Sequence, residues 1–128
     1  MKAKHLGMAA LAAAAGLLGA SGPASAHHAF TLYDNGKYLP LTGTIKTWTW
    51  ANPHAMIDLL VAMPDGTTQT WSVELSAPNI IGRRGWSKAS LAVGEKVPVV
   101  VHPMKDGTPH ALMVSVTTPE GKVLKDKA

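Results

Sequence analysis

The stretch Leu75-Ser76-Ala77-Pro78-Asn79-Ile80-Ile81-Gly82-Arg83-Arg84-Gly85-Trp86-Ser87-Lys88-Ala89-Ser90-Leu91-Ala92-Val93-Gly94-Glu95 is where the pattern of this chain changes. It lacks the alternation of apolar and polar residues seen on either side, and residues 79–84 and 87–91 each fit a short helix. Pro78 suits a first helical turn, where its missing N–H leaves no bond unmade, and Gly85 and Gly94 suit helix exits. Upstream lie three β-favouring runs, residues 41–50, 54–62 and 68–75; downstream lie two, residues 95–102 and 109–117. All are rich in Val, Ile, Thr or Trp, side chains that pack well on a pleated surface. Asn35-Gly36, Asp65-Gly66, Asp106-Gly107 and Glu120-Gly121 supply tight turns. Three strands, a helical connection and two strands is the order of a five-stranded OB-like Greek-key barrel, an all-β fold with a minor helix. A plain β-sandwich and an SH3-like barrel are the competing architectures.

Alternation assigns the faces, because side chains two apart on a strand point the same way. Ile57, Leu59 and Val61, then Trp71, Val73 and Leu75, then Val97, Val99 and Val101 form the expected core. If Asp106-Gly107 is a two-residue turn, His102 pairs with Ala111, and Leu112, Val114 and Val116 join that core; His102 and His110 then face opposite sides. A three-residue loop would set His102 against His110 at the expense of the core match. The opposite face collects Trp48, Trp50, Asp58 and Glu74, a candidate ligand face, with His54, Met56 and His102, provided the first strand runs without a bulge. A bulge there turns both tryptophans inward.

The chain has 128 residues and no cysteine, which excludes disulfides, thiol catalysis and cysteine-ligated metals. Its 46% hydrophobic content is concentrated at the front. Lys2, Lys4 and His5 precede an apolar run over residues 6–20, and Ala24-Ser25-Ala26 has the small-x-small pattern of a cleavage site. Residues 1–26 therefore read as a cleaved signal peptide and residues 27–128 as one OB-like domain, periplasmic or secreted. The run is too short and glycine-dotted for a membrane span, so no stable membrane anchor is expected after cleavage. Cleavage also removes two of the charges behind the formal net charge of +4. On charge and compartment a nucleic-acid partner is not expected.

Cleavage after Ala26 exposes His27-His28, which brings a primary amine, a backbone amide and two imidazoles within one short reach. Such a terminus chelates late transition metals, and copper stands at the top of the stability order for nitrogen sites. The amine loses its proton readily near neutral pH. Two modes are open: amine plus the His27 imidazole, or amine, His28 amide and His28 imidazole. Further donors are expected from the connections at the barrel rim. His54 follows Asn52-Pro53 between the first two strands, and His102 and His110 flank the last hairpin. His27, His28 and His54 rank first as metal ligands, His102 second and His110 third. Met56, Met104 and Met113 add soft sulfur, although packing is the commoner use of Met. Arg83-Arg84 beside Gly85-Trp86 is a candidate anion site, against the alternative of a solvated helix end.

His27-His28-Ala29-Phe30, Leu41-Thr42-Gly43-Thr44-Ile45, Trp50-Ala51-Asn52-Pro53-His54, Trp71-Ser72-Val73-Glu74, Arg84-Gly85-Trp86 and Val93-Gly94-Glu95-Lys96-Val97 together give a further pointer. With the leader, this series resembles a family of small exported bacterial proteins classified as a domain of unknown function. The resemblance spans nearly all of residues 27–128. It implies an exported OB-like barrel and brings no activity, cofactor or catalytic residue.

Three functional classes follow. The first is an exported metal-binding protein, with copper as its cofactor or cargo. The second is a metal-free OB-type module that holds a small molecule, glycan or protein partner on the face of Trp48, Trp50, Asp58 and Glu74. The third is an enzyme: the carboxylates Asp58 and Glu74 share a face but no Ser-His-Asp order or metal-hydrolase motif accompanies them, and a histidine-brace copper oxidase is the one enzyme the sequence sketches; catalysis is not the expectation.

Overall fold

The structure, a computed structural model, describes residues 30–127. The signal-peptide assignment and His27-His28 lie outside the described residues.

Five strands close a barrel. They are β1 (Leu39–Thr49), β2 (Met56–Ala62), β3 (Thr68–Glu74), β4 (Lys96–Pro103) and β5 (His110–Thr117). Antiparallel pairings join β1 to β2, β2 to β3, β1 to β4 and β4 to β5, and a parallel pairing of β3 with β5 completes the circuit. This is the OB-like Greek-key order expected from the sequence, with each strand end within two residues of its expected position. The connection between β3 and β4 carries a short helix, α1 (Pro78–Gly82), and a 3₁₀ turn, Lys88–Ser90. Both are shorter than the runs of residues 79–84 and 87–91. Gly85 and Gly94 take positive φ values of 92° and 90°, which let the chain turn out of each segment. A sixth strand, β6 (Val123–Lys125), pairs with the end of β5. The sequence reading placed only the Glu120-Gly121 turn before it. Among the described residues no helix is long and apolar enough to cross a membrane.

The core contains Ile57, Leu59, Val61, Val73, Leu75, Val97, Val99 and Val101, as alternation requires, and adds Ile45, Ile81, Trp86 and Leu91. Ile81 and Trp86 show that the helical connection plugs the barrel rather than crossing solvent. Trp71 is only partly buried, and its indole N–H donates to Gln69 Oε1 at 3.0 Å.

Two bulges correct the expected faces. In β1, Ile45 pairs with Leu59 and Thr47 with Asp58, so Lys46 is the extra residue. Beyond it the strand's faces exchange, and Trp48 and Trp50 pack against the core instead of sharing a face with Asp58 and Glu74. The gain is physical: Trp48 donates its indole N–H to Lys88 O at 2.8 Å and stacks obliquely on Trp86, with ring centroids 6.3 Å apart. Burying the large ring surface offsets the broken ladder, while Lys46 stays exposed. The second bulge lies where Val100 pairs with Ser115 and Val101 with Met113. It leaves Val114 half-exposed outside the core and puts Ala111 and Met113 inside. Leu112 is buried, but outside the central cluster. His102 accordingly pairs with Leu112 rather than Ala111. The connection after Pro103 is longer than a two-residue turn, because Met104 N–H bonds back to His110 O at 3.0 Å.

Candidate functional site

The outer surface of β1, β2, β3 and β5 carries two rows of side chains set by register. Thr47, Asp58, Ser72 and His110 occupy adjacent positions in one row, and Thr49, Met56, Glu74 and Leu112 in the next. In the first, Thr47 Oγ1 donates to Asp58 Oδ2 at 2.9 Å and Ser72 Oγ to Asp58 Oδ1 at 2.8 Å. Both carboxylate oxygens are thus engaged by hydroxyls, and the row crosses four strands.

Beside the second row, at the rim, stands His54. The Asn52-Pro53 peptide is cis, and the chain enters β2 through the buried Ala55, whose carbonyl accepts Leu75 N–H at 2.8 Å. His54 lies two residues before Met56, on the same face, and its Nδ1 is 3.4 Å from Glu74 Oε1. The histidine side chain is 49% exposed and the glutamate 31%. Among the described residues no other group bonds this ring. A carboxylate against Nδ1 favours the tautomer that leaves Nε2 as a lone-pair donor toward solvent, the arrangement that commonly orients a metal-binding imidazole.

The N-terminal arm approaches the same region. Asp34 N–H donates to Pro103 O at 2.8 Å and Lys105 N–H to Leu32 O at 2.9 Å, so residues 32–34 run alongside the start of the β4–β5 connection. Burial, and secondarily the charge of Glu74, push the Tyr33 phenol above its ordinary value. Glu74→Gln should therefore lower the Tyr33 titration midpoint, since one of the two upward influences is lost. The midpoint should stay above 10.0, the unperturbed value, because burial is the larger cause. Ultraviolet titration of tyrosinate in alkaline buffer reads this directly. No change would place Tyr33 outside the field of Glu74.

The remaining candidates separate. His102 is buried at 2% exposure, with Nδ1 2.8 Å from Lys37 O and its ring edge-on to Tyr38 at 4.8 Å. It ties the arm to the outside of β4. His110 is exposed and stands beside Ser72 in the ladder. Its loop is fixed by Asp106, whose carboxyl is held below the ordinary range by the hydroxyl and N–H of Thr108, with a smaller pull from His110. Met113 is in the core, whereas Met56 and Met104 are partly accessible. Trp48 and Trp50 belong to the aromatic cluster under the helical connection, 5.7 Å apart. Among the described residues, no three His, Asp or Glu side chains converge as a metal-binding group. Asp58 and Glu74 remain on the outer face, each with its own partner. Sequence reasoning missed Tyr33, Thr47 and Ser72. Ser72 was legible as a neighbour of Asp58 from the regular alternation of β2 and β3, and Thr47 was legible in principle had the β1 bulge been placed.

Comparison with known proteins gives one relationship. The family described as "Family of unknown function (DUF6152)" matches residues 13–114. No curated protein and no solved structure matches.

Proposed function

The chain belongs to this family of unknown function, and on that premise we propose that it is an exported protein that captures a late transition metal, copper first, between its processed N-terminus and the barrel rim. His27 and His28 supply the chelating terminus and His54 the further nitrogen donor. Glu74 orients His54, and His102 anchors the arm that brings the terminus to the rim. The observation that carries the reading is the exposed His54 ring backed by the Glu74 carboxylate at 3.4 Å.

Chain length supports it as well. Tyr33 lies within the field of Glu74, and only four residues separate it from His28. Copper is favoured over softer or harder ions because the donors are an amine and imidazoles, with thioether from Met56 or Met104 at hand and no thiolate in the chain.

The test is copper(II) titration of protein beginning at His27 against the same protein acetylated at its α-amino group. Acetylation removes the amine as a donor in both chelation modes and should weaken binding by at least about a hundredfold, the loss of one strong donor at about 1.4 kcal/mol per tenfold. Glu74→Gln should weaken it by about 10–100-fold through loss of His54 orientation. Equal affinity with the acetylated terminus would overturn the proposal. So would mass spectrometry showing that periplasmic protein begins elsewhere.

A further inference from the structure

On the side of the barrel where β5 meets β6, a groove of about 460 Å³ is lined by Tyr38, Arg84, Val114, Ser115, Lys125 and Lys127, together with Asp126. Three cations and one carboxylate surround it, and the carboxylate is already used. The Asp126 side chain is fully buried, accepting Ser76 N–H at 2.8 Å and Arg84 Nη1–H at 2.8 Å. That pair fixes the guanidinium, which remains 46% exposed. Lys125 has no anionic partner among the described residues, and Lys127 lies over the Phe30 ring at 5.2 Å. The local charge is therefore net positive, from the two lysines that have no anionic partner among the described residues.

The floor is apolar. Val114 reaches it only because of the β4–β5 bulge, which withdraws the side chain from the core. Tyr38, 56% exposed, forms an aromatic wall. Part of the valine and most of the tyrosine ring are thus left in contact with water. An apolar floor beneath a cationic rim suits one kind of ligand, a molecule with an anionic head and a hydrocarbon or aromatic body.

We propose that this groove is a binding site for a small amphiphilic carboxylate, whose head engages Arg84, Lys125 and Lys127 while its apolar body lies on Val114 and Tyr38. A guanidinium held in place by a buried carboxylate donates to an incoming carboxylate with little further loss of freedom. The site shares no residue with the rim of His54 and Glu74 and does not depend on the metal-binding reading.

Decanoate is the probe, with decanol and acetate as its tail and its head alone. Calorimetry should show saturable binding of decanoate to the full chain, at least about tenfold tighter than either control. Amide shifts in nuclear magnetic resonance spectra should map to Tyr38, Val114 and Ser115. Lys125→Glu with Lys127→Glu should weaken decanoate at least about tenfold, because like charges then meet the head group. Lys125→Ala with Lys127→Ala should weaken it less. Both variants leave the Arg84–Asp126 pair intact, and an unchanged melting temperature verifies the fold. Equal binding of decanol, shifts mapping elsewhere, or affinity indifferent to both variants would overturn the proposal. A concentration-dependent dimer abolished by the same substitutions would make a second copy the occupant, and would overturn it too.

Discussion

Arg84→Ala will destabilise the fold by about 3 kcal/mol in urea denaturation, and will cost more than Asp126→Ala. The two substitutions break the same ion pair, yet they leave different groups behind. Without Arg84, the Asp126 carboxylate stays fully buried with Ser76 N–H as its remaining partner among the described residues, and an uncompensated buried charge costs about 3–5 kcal/mol. The lower end applies because that N–H still contacts it. Without Asp126, the half-exposed guanidinium turns to water. The loss is then mainly the orphaned Ser76 N–H, about 1–3 kcal/mol. The double variant should cost less than the sum of the two, since the second change removes a group already left unpaired. Arg84→Lys should fall between Arg84→Ala and the unaltered protein. A larger cost for Asp126→Ala than for Arg84→Ala would show that the carboxylate is not a buried charge in need of its partner.

Trp86→Ala will be at least as damaging, at about 3–5 kcal/mol. Trp86 is 3% exposed in the core, stacks beside Trp48, and donates its indole N–H to Lys125 O at 2.9 Å. Removing it opens a cavity beneath the helical connection and deprives β6 of a bond. Trp86→Phe separates the contributions: it keeps much of the ring surface and loses the donor, so it should cost about 1–3 kcal/mol. Calorimetric melting of the three proteins gives the order. Near-equal stability of the phenylalanine variant and the unaltered protein would mean that the Lys125 carbonyl finds water at no cost. Trp86 and Arg84 lie two residues apart and clamp the same C-terminal segment, so Trp86→Ala should also loosen β6 in hydrogen exchange. The groove lined by Lys125 and Lys127 should lose its shape with it.

The candidate site divides along the same physical line as the fold. His54, Asp58 and Glu74 share an exterior face because alternation in β2 and β3 is regular, and regular alternation is visible in sequence. Trp48 and Trp50 were assigned to that face under the condition of an unbroken β1, and one extra residue at Lys46 sends them to the core. Val114 and Met113 exchange places for the same reason at the second bulge. No local signal marks either position. A bulge is chosen by what the strand gains beyond it, here a hydrogen bond and stacking with residues some forty positions away. Tyr33 and His102 owe their relation to the rim to the arm that folds back across β4. That path is set by backbone bonds to Pro103, Lys105 and the His102 ring.

Sequence alone determined the number and order of the barrel strands, the helical break between β3 and β4, the aliphatic core of β2, β3 and β4, and the placement of His54 at a rim. These follow from two-residue periodicity and from turn residues acting on their immediate neighbours. Only the tertiary structure decided the parallel β3–β5 closure, the two bulges, β6, the buried Asp126 clamp and the basic groove. Each of those depends on contacts between residues far apart in the chain, whose energies are set by packing and charge compensation that appear only once the barrel has closed.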